Sequence, residues 1–180
     1  DGTPDFGLFC WFSYCWFDQL SVICAIGSSK RTLENIRRNK IFSANLIVEK
    51  NLALADYFGT ADGRDAGKMD IEFEWEMGAA IPVPILSSSP LSFELEVEKE
   101  IPTGDHDATV LICRIRNTLK DEAFVNTDMS AEEQLRRTAA VRTCINMDYW
   151  SWDGRHLGKW NELAKQIKPD IEVGAAAQGK

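Results

Sequence analysis

The segment Gly27-Ser28-Ser29-Lys30-Arg31-Thr32 gathers three hydroxyls and two cations between a β-branched run and Leu33 and Ile36 at helical spacing. A helix starting near Lys30 exposes free backbone N–H groups and a partial positive charge at its first turn, which together suit a phosphate. Ser28, Ser29 and Thr32 can add hydroxyl hydrogen bonds, and Lys30 and Arg31 charge-assisted ones worth about 1.5–3 kcal/mol each. A plainer reading of the same residues makes Ser29 an N-cap and the cations a solvated face. The GxxxxGK[ST] spacing is absent and no GxGxxG occurs, so neither of those nucleotide loops is supported.

Two further segments carry chemistry. Thr103-Gly104-Asp105-His106 places an imidazole after a turn, where it could handle a proton at a pocket mouth or simply sit at the surface. Trp11-Phe12-Ser13 sets aromatics beside a hydroxyl. That suits a flat heterocycle, with stacking worth about 0.5–1.5 kcal/mol per pair beyond area burial, and it suits plain core packing equally. His106 and His156 are the only histidines, and no CxxC pair or EF-hand spacing occurs, which argues against zinc or calcium centres. No GxSxG elbow marks a hydrolase. Asp62 and Asp65 read as solvating loop residues, Glu94, Glu96 and Glu98 as a wet sheet face, and Tyr149-Trp150-Ser151-Trp152 as aromatic core or a subunit contact.

The elements that must position these groups follow from apolar periodicity. Strands are expected over Phe6–Ser13, Leu20–Ile26, Ile41–Val48, Leu91–Glu100 and Ala108–Ile115, the last two as a hairpin. Helices are expected from near Lys30, from Leu52 to a stop at Gly59, and from Ser130 to about Thr143 with capping-box spacing to Glu133. A last helix is expected from His156 onward, with Leu157, Trp160, Leu163, Ala164 and Ile167 on one stripe. Residues 60–68 and 78–90 read as loops, rich in Gly and Asp or in Pro and Ser. The sum is mainly antiparallel β structure with short inserted helices and a helical C-terminal segment.

Composition narrows the partners. In 180 residues, 20 Lys and Arg against 28 Asp and Glu leave a net charge of −8. That balance argues against gripping a nucleic-acid backbone or an anionic membrane surface. The apolar run Phe6–Phe17 is shorter than the roughly 20 residues that span a bilayer, and it has no basic leader. Five cysteines without a CxxC pair read as reduced thiols of a cytoplasmic protein.

Taken in order, Trp11-Phe12-Ser13, Ser28-Ser29-Lys30-Arg31-Thr32-Leu33-Glu34-Asn35-Ile36, Phe42-Ser43-Ala44-Asn45-Leu46 and Gly104-Asp105-His106 resemble the flavin reductase-like family. The resemblance covers roughly Asp1 to Asn126. It implies an FMN-binding, antiparallel Greek-key split β-barrel over residues 1–126, with 127–180 as a helical extension packed on the same domain. It implies that Ser28, Ser29, Lys30, Arg31 and Thr32 cradle the FMN phosphate. Trp11, Phe12 and Ser13 would line the ring and ribityl chain, Asn45 would stand near the flavin pocket, and His106 would stand where hydride arrives.

The activity implied is that of a flavoprotein oxidoreductase taking hydride from NAD(P)H and passing electrons onward. The implied assembly is a homodimer with FMN near the subunit boundary. Alternatives are a flavoredoxin-type electron carrier fed by a redox protein, a non-catalytic flavin-binding barrel, and a pyridoxamine-phosphate-oxidase-like relative, which would need a second basic cluster. Two positions depart from the family pattern. Tyr14-Cys15-Trp16-Phe17-Asp18 stands where prolines are usual, and Leu111 stands where a glycine is usual.

Overall fold

The computed structural model describes residues 4–104, 107–125, 128–143 and 146–174. Along the chain run β1 (Trp11–Phe17), β2 (Gln19–Gly27), helix α1 (Arg31–Asn39), β3 (Ile41–Asn45) and helix α2 (Leu52–Thr60). Next come the short strands β4 (Trp75–Met77) and β5 (Pro84–Leu86), then the long pair β6 (Leu91–Pro102) and β7 (Ala108–Lys120). Helix α3 (Ala131–Thr138) and strands β8 (Arg142–Thr143), β9 (Asp148–Trp150) and β10 (His156–Lys159) complete the order.

The main sheet is antiparallel, in the order β1-β2-β7-β6-β3. The apolar run Val22–Ile26 makes β2 an interior strand, buried by β1 on one side and β7 on the other. Its inner face joins Leu95 and Phe93 of β6, Leu111 and Cys113 of β7, and Phe42 and Ala44 of β3. Leu33 and Ile36 of α1 close over them, three residues apart and so on one helix face. Leu111 is completely buried in this core, so the departure from glycine there is absorbed by packing. Among the described residues the sheet does not close, and β1 and β3 are its two edges. The chain is mainly β and antiparallel, with a few helices; the split barrel is not seen closed.

A second core forms around α2. Phe6 stacks on Phe58 with ring centroids 5.3 Å apart and meets Phe73 edge-on at 5.6 Å. Tyr57, Leu86 and Ala164 join them. Anchoring Phe6 there holds residues 6–10 out of the sheet, so the first strand begins at Trp11 rather than Phe6. Helix α2 also runs through Gly59 instead of stopping at it. A Cβ on Gly59 would lie 2.8 Å from Leu8 Cβ, so the glycine serves close approach of the two segments.

Three expectations change for one reason, the burial of carboxylates by chain far away in sequence. Glu94 is fully buried, not part of a wet face. It accepts hydrogen bonds from the backbone N–H groups of Ala79 (2.9 Å), Ala80 (2.9 Å) and Ile81 (2.7 Å) and from Asn117 Nδ2 (2.9 Å). Those bonds draw residues 78–81 over the sheet, and the stretch expected to be irregular contains β5, which pairs with β4 just ahead of it. Asp56, also fully buried, accepts from Tyr149 Oη (2.7 Å) and from the backbone N–H groups of Asn161 (2.9 Å) and Ala164 (2.8 Å).

The C-terminal segment is correspondingly not helical throughout. Ser130 caps α3 by accepting from Glu133 N at 3.1 Å, as its spacing predicts, but α3 ends at Thr138 and Ala139 turns left-handed at φ 40°. The expected helix from His156 is replaced by β10, in a three-stranded sheet of order β10-β9-β8, followed by a single 3-10 turn at Leu163–Gln166. The stripe from Leu157 to Ile167 is bent to bring Ala164 onto Asp56, which a straight helix from His156 would not do.

Candidate functional site

A cleft of about 1670 Å³ opens where the two cores face each other. The first core contributes Phe12, Phe42 and Phe93 to its wall, and the second contributes Phe6, Phe58 and Leu86. Phe12 and Phe93 lie 5.8 Å apart, and Tyr14 meets Phe93 edge-on at 5.9 Å. Alternation along β1 turns Trp11 and Ser13 to the opposite side from Phe12, and neither lines the cleft. Trp16 is 79% and Tyr14 55% exposed on the Phe12 side of β1, and Trp11, on the other side, is 64% exposed, so the β1–β2 hairpin carries uncovered aromatic surface.

The first turn of α1 opens on the same cleft. Arg31 and Thr32 line it, and Lys30, Arg31 and Thr32 also line a small adjoining cavity. Lys30 holds the N-cap position in an extended conformation, and no side chain caps the helix. The plainer reading, with Ser29 as N-cap, is therefore not what forms. Ser29 is exposed and its carbonyl accepts from Arg64 Nη1 at 3.1 Å. Ser28 N donates to Asp107 O at 3.0 Å, tying the turn to the start of β7. Ser28 and Ser29 line neither cavity.

The cations at this corner differ in what holds them. Arg31 pairs with Glu34 at 3.0 Å, and Arg64 pairs with the same carboxylate. The Arg31 hydrogen bond, set against desolvation and helped by Arg64, holds the Glu34 carboxyl below its usual range. Lys68, only 3% exposed, pairs with Asp5 at 2.8 Å. Lys30 is half-buried, and its ammonium makes no hydrogen bond or short ion pair among the described residues. Desolvation first, and then the charge of Lys68, push its pKa down, while Asp62 pulls it up. An uncapped helix start beside such a cation has the chemistry to receive an anion.

Gly63, Arg64 and Lys68 escaped the sequence reading, which took residues 60–68 as a solvating loop. Gly63 lets that loop press on α1, because a Cβ there would lie 2.6 Å from Arg31 Cβ. The available signal was a glycine followed by two cations within five residues, a second basic pair separated from the first by a whole strand and helix.

Asn45 lines the cleft, with its amide engaged in the scaffold. Its Nδ2 donates to Ser43 Oγ at 3.0 Å, and its Oδ1 accepts from Leu86 N (3.0 Å) and Ser92 Oγ (2.9 Å). It thereby pins β5 to β3 and β6 and fixes one cleft wall. His106, in the connection from β6 to β7, lies outside the described residues. No group of three or more His, Cys, Asp or Glu among the described residues is arranged to hold a metal ion. No helix among them is long and apolar enough to cross a membrane.

Several solved structures share this fold. Flavoredoxin from Methanosarcina acetivorans superposes with a TM-score of 0.68 at 18% identity, over 87% of this chain and 81% of that one. An FMN-binding protein from Thermus thermophilus, solved with bound p-hydroxybenzaldehyde, gives 0.57 at 20% identity over 63% of this chain. This chain spans 62% of that protein's length. The styrene monooxygenase flavin reductase from Pseudomonas putida S12 gives 0.51 at 22% identity, over 62% of this chain and 66% of that one. No curated protein matches the sequence. The flavin reductase like domain matches residues 1–130, well over half of the 180, and the chain belongs to the flavin reductase-like family.

Proposed function

We propose that the protein is an FMN-binding oxidoreductase whose cofactor phosphate sits at the first turn of α1. The observation that carries this reading is Lys30, half-buried beside an uncapped helix start, its ammonium short of a partner among the described residues, in a small cavity adjoining an aromatic cleft. The residues fit the group. Backbone N–H groups of the first turn, Thr32, Lys30 and Lys68 offer donors to a dianion, and Phe12 and its neighbours offer apolar surface for a ring. Bound FMN would supply acceptance of hydride from a nicotinamide nucleotide and onward transfer of electrons.

The chain's own part is to bind and to orient. Lys30 neutralises the phosphate, Glu34 keeps Arg31 and Arg64 in place around it, and Asn45 holds the β5 wall. The cleft exceeds the roughly 300–1,000 Å³ of a single-ligand pocket, which favours room for a nicotinamide beside a flavin. His106 would stand near the ring, and residues 127–180 would complete the same domain. A homodimer through the exposed aromatic surface of the β1–β2 hairpin, working in the cytoplasm, belongs to the same proposal.

The test is direct. Protein purified without added cofactor, or reconstituted with FMN, should show a bound-flavin absorption band. Without oxygen, NADH or NADPH should bleach it. A band that forms but resists both nucleotides assigns the protein to the electron carriers of flavoredoxin type. Failure to take up FMN at all rejects the proposal.

A further inference from the structure

Lys68 is too deeply buried to stand alone, because an uncompensated charge at 3% exposure is strongly destabilising. Its ammonium donates to Asp5 Oδ1 at 2.8 Å and to the Phe6 carbonyl oxygen at 2.5 Å. The other oxygen of Asp5 accepts from Asn35 Nδ2 of α1 at 3.3 Å. One carboxylate thus bridges the lysine and the helix that would hold a phosphate. The segment carrying it also lies on that helix, since a Cβ on Gly7 would fall 2.5 Å from Thr32 Oγ1. The small cavity at Lys30, bounded by Gly7, Leu8 and Phe9 on one side and by Lys30, Arg31 and Thr32 on the other, holds only about 20 Å³. That is room for a water and too little for a phosphate group.

We propose, on the phosphate seat assigned above, that residues 4–8 are a displaceable strap in which the Asp5 carboxylate occupies Lys68 in place of the ligand's anion. Loading a phosphate monoester exchanges the partner of Lys68 from Asp5 to phosphate and lifts the Asp5–Gly7 backbone off Thr32. Phe6, stacked on Phe58 and edge-on to Phe73, keeps the strap tethered by its ring while the polar contacts change. The apparent affinity for FMN is then the intrinsic one reduced by the fraction of molecules with the strap open. Riboflavin has the same ring and no phosphate, so it does not have to displace Asp5.

Titration of the wild type and Asp5→Asn with FMN and with riboflavin, followed by quenching of flavin fluorescence, tests this. Asp5→Asn should bind FMN about tenfold more tightly than the wild type, as expected if roughly one molecule in ten is open, with riboflavin affinity unchanged. Hydrogen exchange on the wild type provides a readout that needs no variant, and it decides if Asp5→Asn does not fold. Amides of residues 5–8 should exchange faster with FMN bound than without. Unchanged or weaker FMN binding by a folded Asp5→Asn, or unchanged or slower exchange on loading, overturns the strap. A wild type that still prefers FMN to riboflavin leaves the phosphate seat standing in that case. Equal affinity of both proteins for FMN and riboflavin removes the seat and the strap together.

Discussion

Replacing Lys30 by Met separates the phosphate site from everything else the corner does. In the free protein Lys30 is desolvated and faces the charge of Lys68, so its ammonium is held where the charged form is disfavoured. Removing that charge takes away an unfavourable interaction and keeps the aliphatic stem, so the melting temperature should not fall. With FMN bound, the same substitution removes a charge-assisted hydrogen bond worth about 1.5–3 kcal/mol. At about 1.4 kcal/mol per tenfold, the Kd should rise by roughly 10- to 150-fold. Riboflavin, titrated in parallel by fluorescence quenching, should bind the variant and the wild type equally.

The pH dependence carries a sign as well. The folded-state pKa of Lys30 lies below the ordinary 10.5, so Lys30 loses its proton earlier than a free lysine as pH rises. FMN affinity of the wild type should therefore begin to fall below pH 10.5, and Lys30→Met should lack that step. A variant that binds FMN as tightly as the wild type, or loses FMN and riboflavin in equal measure, refutes the reasoning.

Gly63→Ala should drive the 61–65 loop from α1, costing about 1–3 kcal/mol in thermal unfolding and weakening FMN more than riboflavin. Glu94→Gln should cost about 1–3 kcal/mol, because its amide cannot accept from all four donors. Burial raises the Glu94 pKa, but Asn117 and the three backbone N–H groups outweigh it and hold the carboxyl below 4.5. Its contribution is therefore complete above that pH and lost as pH falls through the folded-state value, so the gap between wild type and Glu94→Gln in urea unfolding should narrow in acid. Tyr149→Phe should leave buried Asp56 short of a donor and cost about 1–3 kcal/mol in urea unfolding, with residues 148–164 the first to gain hydrogen exchange.

What the sequence determined on its own was local. The continuous apolar run of β2, the spacing of Leu33 and Ile36, and Ser130 three residues before Glu133 each specify structure within a few residues, and the fold kept all three. The helix start at Lys30 was legible for the same reason, and with it the idea of an anion at that corner. What the tertiary structure alone decided was which charges meet. Asp5 reaches Lys68 across 63 residues, Glu94 collects amides 13 to 15 residues away, and Asp56 takes its donors from 93 to 108 residues away. Such pairings leave no periodicity in the chain, because a buried carboxylate is stabilised by whichever donors the packing brings to it. They account for the changes at Glu94 and in the C-terminal segment, and for the place of Lys68 beside the candidate site.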